Sequence, residues 1–294
     1  MLKPAEMSGA TRGILLMLLS TLLAASMNTV ARHISEGVHP YMIVFFRSLF
    51  GLVFLSPFIL RSGIGVFRTR RIGAHLGRAG FNVINMMCFF TAVGITPLAE
   101  LVALGFTAPV FATVLSVLIL REVVGMHRWA AIGVGFIGAM VIVRPGFGTI
   151  SEGHMLTLAA AVTWGGVMLM VKSLSRTESS LTIVAYMAAL MTPVSLIPAL
   201  FVWQWPSTTE LAWLALMGAI GSSVHFILAQ AVRQTELSTI LPFDFTKLVW
   251  ISLIAYVLFG EVPTWATWTG GTLIFISGVY IAQREALARR RAKP

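Results

Sequence analysis

Asp244 and Lys247 lie inside an otherwise apolar stretch, residues 237–259, and stand three positions apart. That spacing puts both side chains on one face of a helix. Counted from Leu237, Lys247 falls near the middle of a membrane-crossing helix and Asp244 about 4.5 Å nearer one surface. A charge at that depth costs roughly 2.5 to 3.5 kcal/mol, so such groups are paired or functional. Two readings follow: a self-neutralised pair that fixes helix packing, or a site where the pair meets a substrate or coupling ion. A zwitterionic substrate fits the second, its carboxylate on Lys247 and its ammonium on Asp244.

Other polar groups sit at comparable depth. Arg47 lies about 9 Å inside the stretch 41–60, and the nearest plausible acids for an interhelical pair are Glu100 and Asp244. Arg78, Asn82, Asn85 and Phe89 recur at spacings of 4, 3 and 4, one stripe along a helix that either bonds neighbouring helices or lines a cavity. Ser222, His225 and Ala229 share a face of 211–231; His225 is a packing residue or a group that titrates near neutral pH. Trp164, Trp250, Phe243 and Phe106 form a candidate aromatic wall for a bound substrate. Pro109 and Pro242 fall inside apolar stretches, where proline frees backbone carbonyls and kinks a helix, the geometry of a gate. With Arg47 and Glu100 they are the candidate structural and gating residues.

No reacting constellation accompanies these groups. HExxH, paired-cysteine metal spacing, the GxSxG elbow and the phosphate-binding glycine loop are all missing from the sequence, so no catalytic residue, cofactor or metal site is expected. The single cysteine, Cys88, cannot form an intramolecular disulfide. An intramembrane enzyme and a channel remain the functional alternatives to a carrier; saturable counterflow would separate carrier from channel, and turnover of a labelled lipid or peptide would favour the enzyme.

The elements that position these groups are membrane helices. Only 11% of residues are charged and 57% are hydrophobic, against about 25% charged in soluble domains, and mean hydropathy is +0.87. Apolar stretches long enough to cross a hydrocarbon core of about 30 Å occur at 13–31, 41–60, 74–93, 98–120, 128–143, 154–173, 181–203, 211–231, 237–259 and 265–283. With the N-terminus inside, the cytoplasmic loops and ends receive nearly every Lys and Arg, including Arg68, Arg70, Arg71, Arg121, Arg128, Arg176, Arg233 and the run Arg289–Arg291. The other side receives Arg32 and Arg144. This bias places both termini in the cytoplasm. It also accounts for the net charge of +10 without nucleic acid, leaving the lipid bilayer and a small molecule as the expected partners.

The chain is written twice. Residues 79–142 align without a gap on 218–281, bringing Phe106-Thr107 onto Phe245-Thr246, Glu122 onto Glu261, Trp129 onto Trp268 and Phe136-Ile137 onto Phe275-Ile276. The pairing extends forward, with Gly13 on Gly153, Leu18 on Leu158 and Ile43-Val44 on Ile183-Val184. The expected fold is therefore an all-α membrane protein of ten transmembrane helices built as two five-helix repeats, 1–150 and 151–294. An odd helix number inverts the second repeat, the plan that permits alternating access around a midplane site. Glu122 and Glu261 are expected to cap the last helix of each repeat or to bind loop backbone rather than touch substrate. Gly133, Gly135, Gly138, Gly270, Gly271 and Gly278 allow close helix approach, inside a monomer or across a homodimer.

The stretch Thr96–Gly146 carries Pro97-Leu98-Ala99-Glu100, Gly105-Phe106-Thr107-Ala108-Pro109, Arg121-Glu122 and the glycine-rich 133–138. The second copy carries Pro242-Phe243-Asp244-Phe245-Thr246-Lys247 and Phe259-Gly260-Glu261, and Phe45-Phe46-Arg47 lies in the second span. Together they resemble EamA-type transporters of the drug/metabolite transporter superfamily over nearly the whole chain. The resemblance implies transport of small metabolites, with export of amino acids or related compounds as the expectation. Its alternatives are import of a vitamin or nucleoside-type metabolite such as riboflavin or S-adenosylmethionine, and multidrug export.

Overall fold

The computed structural model describes residues 9–120, 125–144, 151–174, 177–234, 240 and 243–291. Among these residues the chain is helical and contains no strand. The first half comprises α1 (Gly9–Ile34), α2 (Pro40–Ser62), a 3₁₀ turn (Ile64–Phe67), α3 (Ile72–Ile95), α4 (Leu98–Gly105), α5 (Ala108–Leu120) and α6 (Met126–Val143). The second comprises α7 (Glu152–Leu174), α8 (Ser180–Leu200), α9 (Thr208–Gln234), α10 (Thr246–Phe259) and α11 (Trp265–Arg291).

Local chemistry sets several of these ends. Pro40 occupies the first position of α2, where its missing N–H has no helical partner to lose. Ser179 caps α8, its Oγ accepting from the Thr182 N–H at 3.0 Å. Gly260 ends α10 with φ of 68°, the left-handed conformation glycine adopts without penalty.

Among the described residues seven segments are long and apolar enough to cross a membrane, and Trp129–Val143 and Thr246–Phe259 are shorter apolar helices. The ten uniform spans expected from hydropathy are interrupted at two places. The fourth, 98–120, is two helices, α4 and α5. The ninth resolves into helical residues 243–244, a turn at Phe245 and α10. The tenth, 265–283, lies within the single helix α11. A belt of exposed apolar side chains surrounds the bundle, including Val53, Phe58, Ile84, Leu200, Phe226 and Leu253. In water so large an apolar surface would be a liability; in hydrocarbon it is the lipid-facing surface.

The packing repeats itself. α1 lies along α9 and α3 along α7, α2 packs on α8, α6 on α11, α5 on α7 and α10 on α1. Under the sequence repeat α1 corresponds to α7, α3 to α9, and α4–α5 to the segment ending in α10, so these contacts map onto one another. The glycine stripes mainly serve internal contact. A Cβ on Gly138 would stand 2.7 Å from the Gly270 carbonyl oxygen, so α6 and α11 touch backbone to backbone there, and Ser277 Oγ donates to the Ala131 carbonyl at 2.6 Å. Gly271 lies against Ala103 and Leu248, and Gly133 faces open space. At the centre sits α4, with Leu98, Leu101 and Leu104 fully buried.

Candidate functional site

The two helix breaks fall at matched positions of the repeat and meet in space. After α4 the chain turns at Phe106 (φ −66°, ψ −7°). Thr107 Oγ1 donates to the Leu104 carbonyl at 2.6 Å, satisfying an acceptor that the ended helix leaves open. In the second copy Thr246 Oγ1 donates to the Phe243 carbonyl at 2.7 Å and lies 2.9 Å from Thr21 Oγ1 of α1. Phe106 and Phe245, the paired turn residues, have ring centroids 5.8 Å apart. Phe275 completes the cluster at 6.2 Å from Phe106 and 4.6 Å from Phe245. Pro109 therefore does not kink a continuous span as expected: it sits in the first turn of α5, where proline is well tolerated. Pro242 lies outside the described residues.

Beside this aromatic crossing stand the two charges singled out from sequence. Lys247 Nζ is 3.7 Å from Asp244 Oδ1, with side chains 26% and 37% exposed. The same ammonium lies 5.0 Å from the Phe106 ring centroid, a cation–π approach. A carboxylate, an ammonium and aromatic faces at the ends of broken helices can hold a small amphipathic molecule by charge and stacking at once.

A second polar group lies among α2, α3, α8 and α9. Arg47 is buried, 7% exposed, and does not reach Glu100 or Asp244: Glu100 Oε2 is 3.1 Å from His154 Nε2, and Asp244 pairs with Lys247. Geometry consumed both acids locally. Arg47 Nη1 instead points at the Met86 sulfur, 3.3 Å away. Arg78 Nη1 donates to the Ile183 carbonyl at 2.8 Å and Nη2 approaches the Met187 sulfur at 3.4 Å. Asn82, fully buried, places Nδ2 2.9 Å from the Met191 sulfur. Between α2, α8 and α9 lies a narrow cleft of about 20 Å³, room for roughly one water, lined by Arg47, Met187, Met191, Ser222 and His225 among others.

The polar stripe of α3 divides between two neighbours because that helix packs against both α7 and α8. Arg78 and Asn82 meet α8, whereas Asn85 Nδ2 donates to the Ala160 carbonyl of α7 at 2.6 Å. Phe89 packs against the core, edge to Phe90 at 5.5 Å. The proposed aromatic wall does not assemble as one surface. Phe243 joins a small cluster with Met17, Ala231 and Ile240, Trp250 packs against the main core with its Nε1 unpartnered, and Trp164 is half-buried on α7. Phe245 and Phe275 take the places beside Phe106. Sequence reasoning missed them, although both are repeat-matched, to Phe106 and Phe136.

One end of the bundle is tied by charge. Arg32 Nη2 lies 3.5 Å from Glu261 Oε1, and Glu261 Oε2 accepts from the Leu98 N–H at 2.8 Å. Of the two roles expected for Glu261, it binds backbone, at the start of α4, rather than capping the last helix of its own repeat; Glu122 lies outside the described residues. Arg32 Nη1 also donates to the Val93 carbonyl at 2.5 Å, and Arg144 donates to Thr264 Oγ1 at 3.2 Å. The contacts of Glu261 with Arg32 and Leu98 and of Arg144 with Thr264 join the two halves at the end carrying the α1–α2 connection, while the Arg32–Val93 bond lies within the first half.

Whole-chain similarity agrees with this plan. The chain is 35% identical over 288 residues to a riboflavin transporter of Vibrio cholerae, covering 96% of each. It is 28% identical to an S-adenosylmethionine uptake transporter of Rickettsia prowazekii, covering 93% of each. It is 25% identical to the pseudopaline exporter CntI of Pseudomonas aeruginosa, covering 93% of this chain and 96% of that one. A crystal structure shares the fold with a TM-score of 0.64 at 17% identity, over 96% of this chain and 99% of that one. The EamA-like transporter family matches twice, at residues 11–144 and 151–283, and the chain, a helical membrane protein with two such repeats, belongs to that family of transporters.

Proposed function

We propose that this transporter is a secondary carrier that moves riboflavin, or a closely related heteroaromatic metabolite, into the cell by alternating access. Full-length identity of 35% to a riboflavin transporter carries the choice of cargo. Export of amino acids, the expectation drawn from the resemblance, has no counterpart among the relatives named above, whereas a vitamin or nucleoside-type metabolite has two. Uptake is the direction named for the Rickettsia relative, and export that of the more distant pseudopaline carrier.

Packing supports the mechanism. The mutual mapping of the α1–α9 and α3–α7 contacts is what two repeats related by a two-fold axis in the membrane plane produce, and rocking one against the other exposes a central site to each side in turn. The site of this reading is the crossing of the broken helices. Phe106, Phe245 and Phe275 offer faces to a flat ring system, and Lys247 and Asp244 anchor its polar groups. The Arg32–Glu261–Leu98 contacts close one end. With both termini in the cytoplasm of a bacterial inner membrane, that tied end faces outward, and the bonds of Arg71 to Ser173 and of Thr69 to Glu178 tie the halves at the inner end.

Uptake of labelled riboflavin by a bacterial riboflavin auxotroph lacking its own transporter tests the cargo. Expression of this protein restores growth on limiting riboflavin, and excess unlabelled flavin, but not amino acids, suppresses uptake. Suppression by amino acids with indifference to flavins refutes the assignment.

A further inference from the structure

We infer that the cleft between α2, α8 and α9 binds an oxyanion, a carboxylate or phosphate group, with Arg47 as its direct partner and Arg78 as a second cation behind Met187. This site is separate from the Lys247–Asp244 pair, and it stands whatever the ring system of the cargo.

Charge balance carries the inference. Arg47 and Arg78 are each 7% exposed, and among the described residues neither is paired with an acid: the three ion pairs there are Arg32–Glu261, His154–Glu100 and Lys247–Asp244. Among the described residues no acid lines the cleft. Among the described residues both Nε atoms are buried without a hydrogen-bond partner. Apart from one carbonyl, the acceptors these groups have found are thioether sulfurs, which accept weakly. A buried guanidinium left in that state is unfavourable, and its planar fork of donors matches the two oxygens of a carboxylate or phosphate. His225 lies in the same lining, within electrostatic reach of both arginines; it adds a ring nitrogen and no negative charge.

Room for the guanidinium is built in. A Cβ on Gly221 would stand 2.7 Å from Arg47 Nη2, so glycine at that position lets the head group lie against α9. Met187 and Met191 stand between the cleft and the α3 donors. Unbranched and easily rearranged, they are the side chains that move aside to widen the cleft for an oxyanion on Arg47, which exposes Arg78 and Asn82 to the same ligand.

A phosphate on a soluble cargo and a lipid head group present the same chemistry, and the test separates them. Purified protein in lipid-free detergent is melted with inorganic phosphate, acetate or chloride at equal ionic strength, with riboflavin against riboflavin 5′-phosphate, and with phosphatidylglycerol against phosphatidylcholine. Phosphate and acetate are expected to raise the unfolding temperature by about 2 °C or more over chloride, in a saturable way. Arg47→Gln is expected to weaken that binding at least ~10-fold. Gly221→Ala, which keeps every charge but crowds the guanidinium at the far end of a flexible side chain, provides the same readout should Arg47→Gln fail to accumulate. Preference for riboflavin 5′-phosphate over riboflavin assigns the oxyanion to the cargo. An Arg47-dependent response to phosphatidylglycerol alone assigns it to lipid. If no anion stabilises the protein beyond chloride, or if wild type and both variants respond alike, the site does not exist.

Discussion

Replacing Lys247 by Met tests whether the charge beside the broken helices acts or merely packs. At 3.7 Å from Asp244 the pair would attract by about 4 kcal/mol at an effective dielectric of 20. Asp244 is 37% exposed and Lys247 26%, so screening reduces that toward ~1 kcal/mol. Losing the approach to Phe106, 5.0 Å from the ring centroid, removes about 0.5 to 1 kcal/mol more. The structural cost is therefore about 1.5 to 2 kcal/mol, a modest drop in unfolding temperature with a normal yield from the membrane. If Lys247 holds cargo, the same variant loses a charge-assisted bond worth about 1.5 to 3 kcal/mol, or ~10- to 100-fold in transport efficiency. The assay is thermal unfolding in detergent beside initial-rate uptake in proteoliposomes, for Lys247→Met and for Asp244→Asn with Lys247→Met. Transport stays lost in the double variant if the lysine binds cargo. Recovery to near wild-type rates in the double variant refutes the reasoning, since only mutual neutralisation would then have mattered.

Three further outcomes follow from the packing. Gly138→Val drives a branched side chain into the Gly270 carbonyl and is expected to destabilise the protein by about 1 to 3 kcal/mol; an unchanged unfolding temperature contradicts the close α6–α11 contact. Glu261→Ala removes the acceptor for Leu98 N–H and the partner of Arg32, at a cost of ~1 kcal/mol, and is expected to increase labelling of a cysteine placed at Thr96 by an impermeant thiol reagent; unchanged labelling shows that this end is held by other contacts. Reporter fusions after Arg71 and Arg233 are expected to read cytoplasm, and fusions near Glu36 and Ser207 the opposite side; two or more contrary readings overturn the inverted arrangement.

The sequence revealed the long helices well, because twenty apolar residues in a row have few alternatives in hydrocarbon. It concealed the break in 98–120 for the same reason: Phe106 and Thr107 are apolar enough to pass for the middle of a span. Gly105 and Pro109 on either side were the available signal, and Pro109 reads as a kink or as a helix start depending on whether the chain has already turned. Arg47 was legible as a buried charge but its partner was not. Nearness of Glu100 in the hydropathy diagram said nothing about His154, which reaches that acid from α7. The methionines that face Arg47, Arg78 and Asn82 carried no signal, since thioethers at helical spacing look like core. Phe245 and Phe275 were visible only as repeat-matched positions, and their meeting with Phe106 is a property of the crossing between the halves.

Counterflow in proteoliposomes tests the central claim most directly. Vesicles containing the purified protein are loaded with unlabelled riboflavin and diluted into a trace of labelled riboflavin. A carrier working by alternating access gives transient accumulation of label above equilibrium, saturable in the internal flavin and lost in Lys247→Met. Label that only equilibrates, at a rate proportional to its concentration and indifferent to internal flavin, contradicts the account and indicates a channel or leak.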